Sequence, residues 1–151
     1  MVVVTYDGKT HRATRAVREK AGWDLAIIEI ADNLGGRVAT LTQDIAPGDA
    51  LLMAGSMDGE EFTLSYIRLS KIVPNGVVGA EPHQMFIATG VVWFGNSGGG
   101  AFDEHGNLVG IFSKIRLTVE TSAHEKVVAG GPLWGWFVGP ATVGAFMEQK
   151  P

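Results

Sequence analysis

Gly95-Asn96-Ser97-Gly98-Gly99-Gly100-Ala101-Phe102-Asp103-Glu104-His105-Gly106-Asn107 is the stretch on which the fold turns. A serine hydroxyl is a poor nucleophile by itself. To attack a carbonyl it needs an exposed position, backbone N–H groups for the oxyanion, and a base. Glycines on both sides of Ser97 let the backbone bend tightly and leave no Cβ in the way of an incoming carbonyl. The N–H groups of Gly95 and Ser97 are the natural donors to such an oxyanion. Alone, the same residues also suit a glycine-rich turn or a phosphate-holding loop.

The residues after Ser97 decide between two architectures. A G-x-S-x-G serine between a strand and a helix would mean an α/β-hydrolase, with acid and histidine later in the chain. Gly98 to Gly106 cannot be that helix, because three glycines open it and His105-Gly106-Asn107 reads as a hairpin turn. The alternating helices of that fold are also missing.

Working outward, the chain reads as short strands. Val2 to Tyr6 is β-branched and aromatic, with Asp7-Gly8 as a hairpin turn. Thr10 to Arg18 alternates small with polar residues, as an edge strand facing water would. Leu25 to Ile30 is apolar enough to be buried. An irregular stretch, Ala31 to Asp49, separates two structural halves, 1–46 and 47–151. In the second half Leu51 to Ala54 opens a strand. Phe62, Leu64 and Tyr66 share one face, and Ile67 and Leu69 continue in the opposite phase, which predicts a β-bulge between them. Asn75-Gly76 is a predicted turn. Further strands are expected at Met85–Thr89, Leu108–Leu117 and Leu133–Val138, and one helix at Ala141–Gln149, just after Pro140. The reading is mostly antiparallel β with a C-terminal helix.

Composition agrees. Of 151 residues, 46% are hydrophobic and 19% charged, enough for a core and against disorder. Glycine, at 21 residues, is about twice its usual share of roughly 7%, as many tight turns require. A net charge of −4, with no two adjacent Lys or Arg, weighs against a nucleic-acid or anionic-membrane surface. No apolar run reaches the roughly 20 residues of a membrane span, and Met1 does not open a signal pattern. The absence of cysteine excludes disulfides, a thiol nucleophile and sulfur-ligated zinc. His124-Glu125 and Asp103-Glu104-His105 lack a separated second ligand pair, so no metal is assigned.

An acid suited to Ser97 lies well upstream, in Trp23-Asp24-Leu25-Ala26-Ile27-Ile28. Asp24 heads an apolar strand, where backbone donors can hold its carboxylate. With this pair the sequence resembles the trypsin/chymotrypsin-fold serine peptidases, most closely the high-temperature-requirement (Deg-like) branch and its viral and phage relatives. Tyr6-Asp7-Gly8, Asp24-Leu25-Ala26, Pro47-Gly48-Asp49 with Leu51 to Gly55, Gly95 to Gly99, Asn107 to Ile111, and Trp136 to Met147 carry the resemblance in order. Ser97 lies 73 residues beyond Asp24, a separation typical of the family.

The resemblance implies two antiparallel β-barrels of the trypsin-like type, the first incomplete (1–46) and the second (47–151) ending in an α-helix. It implies a serine endopeptidase using no cofactor, with Ser97 as nucleophile, Asp24 as acid, and Gly95 with Ser97 as oxyanion donors. Ser113, Lys114 and Ile115 would pair with an extended peptide substrate. Val91, Val92, Trp93 and Phe94, with Gly135 and Phe137, would shape the primary specificity pocket. Val91 stands near the position of the trypsin-like acid, so an apolar side chain is expected there rather than Lys or Arg. Asn96 replaces the aspartate that many members use to capture a freed N-terminus, so activation by propeptide cleavage is not expected.

The family's histidine would precede the strand at Val2 to Tyr6 and is not in this sequence. If the hairpin turns near Ala21, Asp24 faces Arg18, and His11 lies seven residues on, about 23 Å away. His11, His83, His105 and His124 are all expected to face solvent. Two explanations are open: a working peptidase truncated ahead of Val2, which the retained Ser97, Asp24 and glycines favour, or a degenerate peptidase kept for peptide binding or assembly. Either leaves an apolar edge at Val2 to Val4 that invites pairing with another chain.

Overall fold

The computed structural model describes residues 1–77, 81–121 and 126–149. Its strands are β1 (Val2–Val4), β2 (Thr10–Arg18), β3 (Ala26–Ile30), β4 (Ala50–Gly55), β5 (Thr63–Gly76), β6 (His83–Gly90), β7 (Gly100–Phe102), β8 (Leu108–Thr121) and β9 (Lys126–Val138), with the helix α1 (Pro140–Glu148) closing the chain. β1, β2 and β3 form a three-stranded antiparallel sheet, and β4-β5-β6-β9-β8-β7 close into a barrel. The expected all-β, trypsin-like fold is therefore present: a closed barrel, a smaller open sheet and one C-terminal helix among the described residues.

Inward-facing residues alternate along the barrel strands. Leu51 and Met53, Ile67 and Leu69, and Phe86 and Ala88 meet Val109, Phe112 and Phe137 inside, almost wholly shielded from water. Phe86 stacks on Phe137 at 4.6 Å, and Phe112 meets the same ring edge-on at 5.1 Å. A second cluster joins sheet, barrel and helix: Leu25, Val138, Val143 and Phe146, with Trp23, Ile27, Leu41 and Ile111 packed on it. α1 has Pro140 at its first turn and no cap of its own. The Gln84 side chain fills that role, its Oε1 accepting from the Ala141 N–H at 2.8 Å.

The structure corrects several sequence expectations. Thr10 to Arg18 is the centre of its sheet, not an edge, because β1 and β3 both pair with it. β3 is only half shielded, with Ile28 46% exposed, since so small a sheet cannot be covered on both faces. The β2–β3 register sets Arg18 opposite Ala26, so the hairpin turns one residue later than expected.

Leu64 and Tyr66 lie on the outer face of β5, Phe62 is exposed just ahead of it, and the register from Thr63 to Arg68 is unbroken; the irregularity falls between Leu69 and Lys71. Thr63 and Ser65 take the inner row instead, their hydroxyls donating to the Gly55 and Val91 carbonyls. Asn75-Gly76 is not a turn. β5 continues through both residues, Gly76 pairs with His83, and a register shift accommodates Pro74.

Candidate active site

Ser97 sits in the loop between β6 and β7, which is fixed by β8 and by the β4–β5 connection. The Gly98 N–H donates to the Phe112 carbonyl at 2.9 Å, and the Phe112 N–H returns to the Gly99 carbonyl at 2.8 Å. The Phe94 carbonyl accepts from the Asp58 N–H at 2.8 Å. Gly95 has φ 92°, and a Cβ there would lie 2.2 Å from the Ser56 carbonyl oxygen, so only glycine fits. Ser97 is exposed while Asn96 is buried beneath it. The Asn96 Oδ1, on which a Gly55 Cβ would encroach to 2.7 Å, has no hydrogen-bond partner among the described residues. Among those residues the N–H groups of Gly95 and Ser97 likewise donate to no backbone acceptor.

Asp24 reaches the same region from the open sheet. The loop from β2 to β3 is wound around Glu19, a buried side chain whose carboxylate accepts from the Ala21 N–H at 2.5 Å and the Trp23 N–H at 2.8 Å. Burial alone would raise the Glu19 pKa, but the N–H groups of Trp23, Ala21, Gly22 and Lys20 outweigh it and hold the carboxyl below its ordinary 4.5. Trp23 and Leu25, on either side of Asp24, pack into the cluster under α1. That leaves Asp24, at φ 61°, facing outward and exposed. Aspartate tolerates this left-handed conformation better than most residues.

Its Oδ2 accepts the Ser113 hydroxyl at 2.5 Å. The sequence anticipated backbone donors for this carboxylate; the partner found is a side chain 89 residues away. A register shift between Phe112 and Lys114 makes Ser113 the odd residue of β8 and turns it toward the sheet. Asp24 and Ser97 line one cleft of about 680 Å³, with Arg18, Leu25, Gly98 and Phe112 among its walls.

Lys114 and Ile115 come next on β8, opposite Trp136 and Gly135 of β9. β7 pairs with β8 only as far as Ile111, so among the described residues the other edge of 113–115 is open. The remaining predicted site residues are spread over several environments. Val91 is exposed, Val92 is buried in the core, and Trp93 is half-buried with its ring edge-on to the exposed Phe94 at 5.4 Å. Gly135 is buried. A Cβ on it would meet Phe112, Phe137 and Val92 at 2.9, 3.0 and 3.3 Å, so apolar side chains fill the space beside it. Phe137 itself is a core residue.

None of the three described histidines lines the Asp24–Ser97 cleft, and His124 lies outside the described residues. Two differ from the expected solvent exposure. His11 is half-buried, its Nδ1 2.8 Å from the Asp32 carboxylate, which anchors the β1–β2 hairpin to the end of β3. His83 is buried against Trp23, with its Nδ1 2.9 Å from the Glu81 carbonyl. His105 is exposed in the β7–β8 turn as expected.

The sequence that carries this outward serine and this aspartate matches one family model. It describes a trypsin-like peptidase domain and covers residues 1–111. The chain belongs to the trypsin-like peptidase family.

Solved structures carry the same fold. The HtrA-type protease AlgW with a decapeptide is 25% identical, with a TM-score of 0.76 over 97% of this chain. The Rv3671c protease from M. tuberculosis, in its active form, is 17% identical with a TM-score of 0.71, covering 94% of this chain and 60% of its own. The MamO protease domain from Magnetospirillum magneticum is 21% identical with a TM-score of 0.68, covering 99% of this chain and 74% of its own. This trypsin-like chain spans only 42% of the AlgW chain. No curated protein sequence matches it.

Glu19 and the contact between Ser113 and Asp24 escaped the sequence reading. A glutamate just ahead of Gly22 in a hairpin loop was the one available signal for the first. The second depends on a bulge and a long-range approach that no local pattern encodes.

Proposed function

We propose that this trypsin-like domain is a serine endopeptidase of the HtrA-type branch, acting on extended peptides through an acyl-enzyme on Ser97. The observation carrying this reading is the shared cleft of Asp24 and Ser97, with Asp24 held by Ser113. Residues 1–46 are the acid-bearing remnant of a first barrel, and 47–151 the nucleophile-bearing second barrel. The Ser97 Oγ attacks the scissile carbonyl carbon while its proton passes to an imidazole oriented by Asp24. The N–H groups of Gly95 and Ser97 receive the oxyanion. Its collapse breaks the C–N bond, the amine leaves with the imidazole's proton, and water then releases the acyl group by the same steps.

The substrate adds as a strand along the open edge of Ser113, Lys114 and Ile115, as one neighbour's bound decapeptide encourages. Val91, Trp93 and Phe94 border its primary side chain, and their apolar surfaces suit an apolar one. No cofactor takes part.

The mechanism needs an imidazole beside Asp24, which none of the three described histidines supplies, so its test adds a strand bearing a histidine ahead of Val2. Fluorophosphonate labelling tests this on the chain fused to such a strand. Labelling that disappears in Ser97→Ala is the expected result; none in the parent protein would refute the assignment.

A second reading, a degenerate peptidase retained for binding or assembly, draws on the sheet edge. β1 pairs on one side only, and Val2 and Val4 are 61% and 63% exposed. A protein that stays monomeric at high concentration and binds no peptide would remove it.

A further inference from the structure

A second cleft, of about 660 Å³, adjoins the one containing Ser97 and shares Arg18, Asp24 and Leu25 with it. Its charge is unlike that of the rest of this acidic chain. Arg18, Lys20 and Lys114, three of the twelve Lys and Arg residues, converge on it from two directions, the β2–β3 hairpin and β8. All three are exposed, and among the described residues none forms an ion pair. The Lys114 Nζ rests 5.3 Å from the centre of the Trp136 ring, which restrains it at the cleft wall.

Two carboxylates also line the cleft, each hydrogen-bonded by neutral donors. Glu19 is turned into its own loop by backbone N–H groups, and Asp24 accepts the Ser113 hydroxyl. Three cations against two carboxylates leave the lining at a net charge of +1 in a chain whose net charge is −4, with the cations exposed and Glu19 buried.

We infer that this cleft is a specificity subsite for an acidic side chain of the peptide substrate. The inference rests on the peptide-pairing reading above and names its substrate class. A peptide paired along Ser113 to Ile115 runs past Lys114, and in a strand every second side chain turns to the same face. A Glu or Asp within a few residues of the bond held at Ser97 therefore enters the cleft. An uncharged side chain there would gain nothing from the exposed cations.

Fluorescein-labelled heptapeptides of alanine and valine, with one Glu walked along the sequence, test this against matched Gln peptides by fluorescence anisotropy on the full chain. At low salt one Glu position is expected to bind about 3- to 10-fold tighter than its Gln partner, a gap that narrows strongly by about 0.5 M salt. Lys20→Glu is expected to abolish the preference, and Lys20→Gln to reduce it, while the Gln peptides bind both variants as they bind the parent. Equal binding of Glu and Gln peptides at every position would overturn the acidic subsite and leave the peptidase reading standing. Failure of every peptide to bind would refute strand pairing at Ser113 to Ile115, and the subsite with it.

Discussion

The barrel and the open sheet solve the same problem differently. The barrel closes on itself: Phe86, Val109 and Phe137 are fully buried, and each strand has two neighbours. Among the described residues the sheet pairs on one side only at β1 and β3, and it exposes Val2, Val4 and Ile28. It gains much of its burial by lending Trp23, Leu25 and Ile27 to the cluster shared with the barrel and α1. The serine thus stands on a self-sufficient platform, whereas the acid is placed by a loop whose position depends on its neighbours.

Truncating the two cores separates them most sharply. Phe137→Ala is expected to cost about 3–5 kcal/mol, because it empties the place where two other rings meet. Ile28→Ala, on the exposed side of β3, should cost less than about 1 kcal/mol. Urea unfolding of both variants measures the contrast, and equal losses would deny that the barrel dominates stability.

Gly95→Ala comes next. Its positive φ and the clash with the Ser56 carbonyl should cost about 1–3 kcal/mol and shift the Ser97 loop. A crystal structure with that loop unmoved would contradict the steric argument.

Glu19 probes the acid's side. Its pKa is depressed in the folded chain, so its stabilisation is complete above the ordinary 4.5 and fades as pH falls through the lower folded value. Acid should therefore weaken the parent protein more than Glu19→Gln, which carries no titrating carboxyl at that position. Parallel stability curves for the two between about pH 5 and pH 3 would rule this out.

Ser113→Ala should have only a small effect on folding, about 1 kcal/mol, since Asp24 is exposed and water can replace the lost hydroxyl. A loss above about 3 kcal/mol would mean that this contact ties the sheet to the barrel.

Much of this was legible in the residues. Asp7-Gly8 and Gly106 mark real turns, and Pro140 opens the helix, because each acts through its own backbone. The errors arose where a neighbour decides. Thr63 and Ser65 take the inner row of β5, their hydroxyls donating to carbonyls, and Leu64 and Tyr66 face outward. Asn75-Gly76 stayed extended because β6 pairs with it. Of the candidate site, Ser97 and Asp24, which line one cleft, stand in local motifs. Glu19 and the bulge that aims Ser113 do not, since their partners are fixed only in the folded chain.

The central claim is that the carboxylate of the open sheet and the hydroxyl of the barrel work as one unit. The most direct test is the rate of fluorophosphonate labelling at Ser97 in the domain carrying a histidine-bearing leading strand, compared between the parent and its Asp24→Asn variant. Cooperation across the cleft predicts that the substitution slows labelling by about 10⁴-fold while the fold, read by circular dichroism, is unchanged. Equal rates in the two proteins would show that Asp24 takes no part.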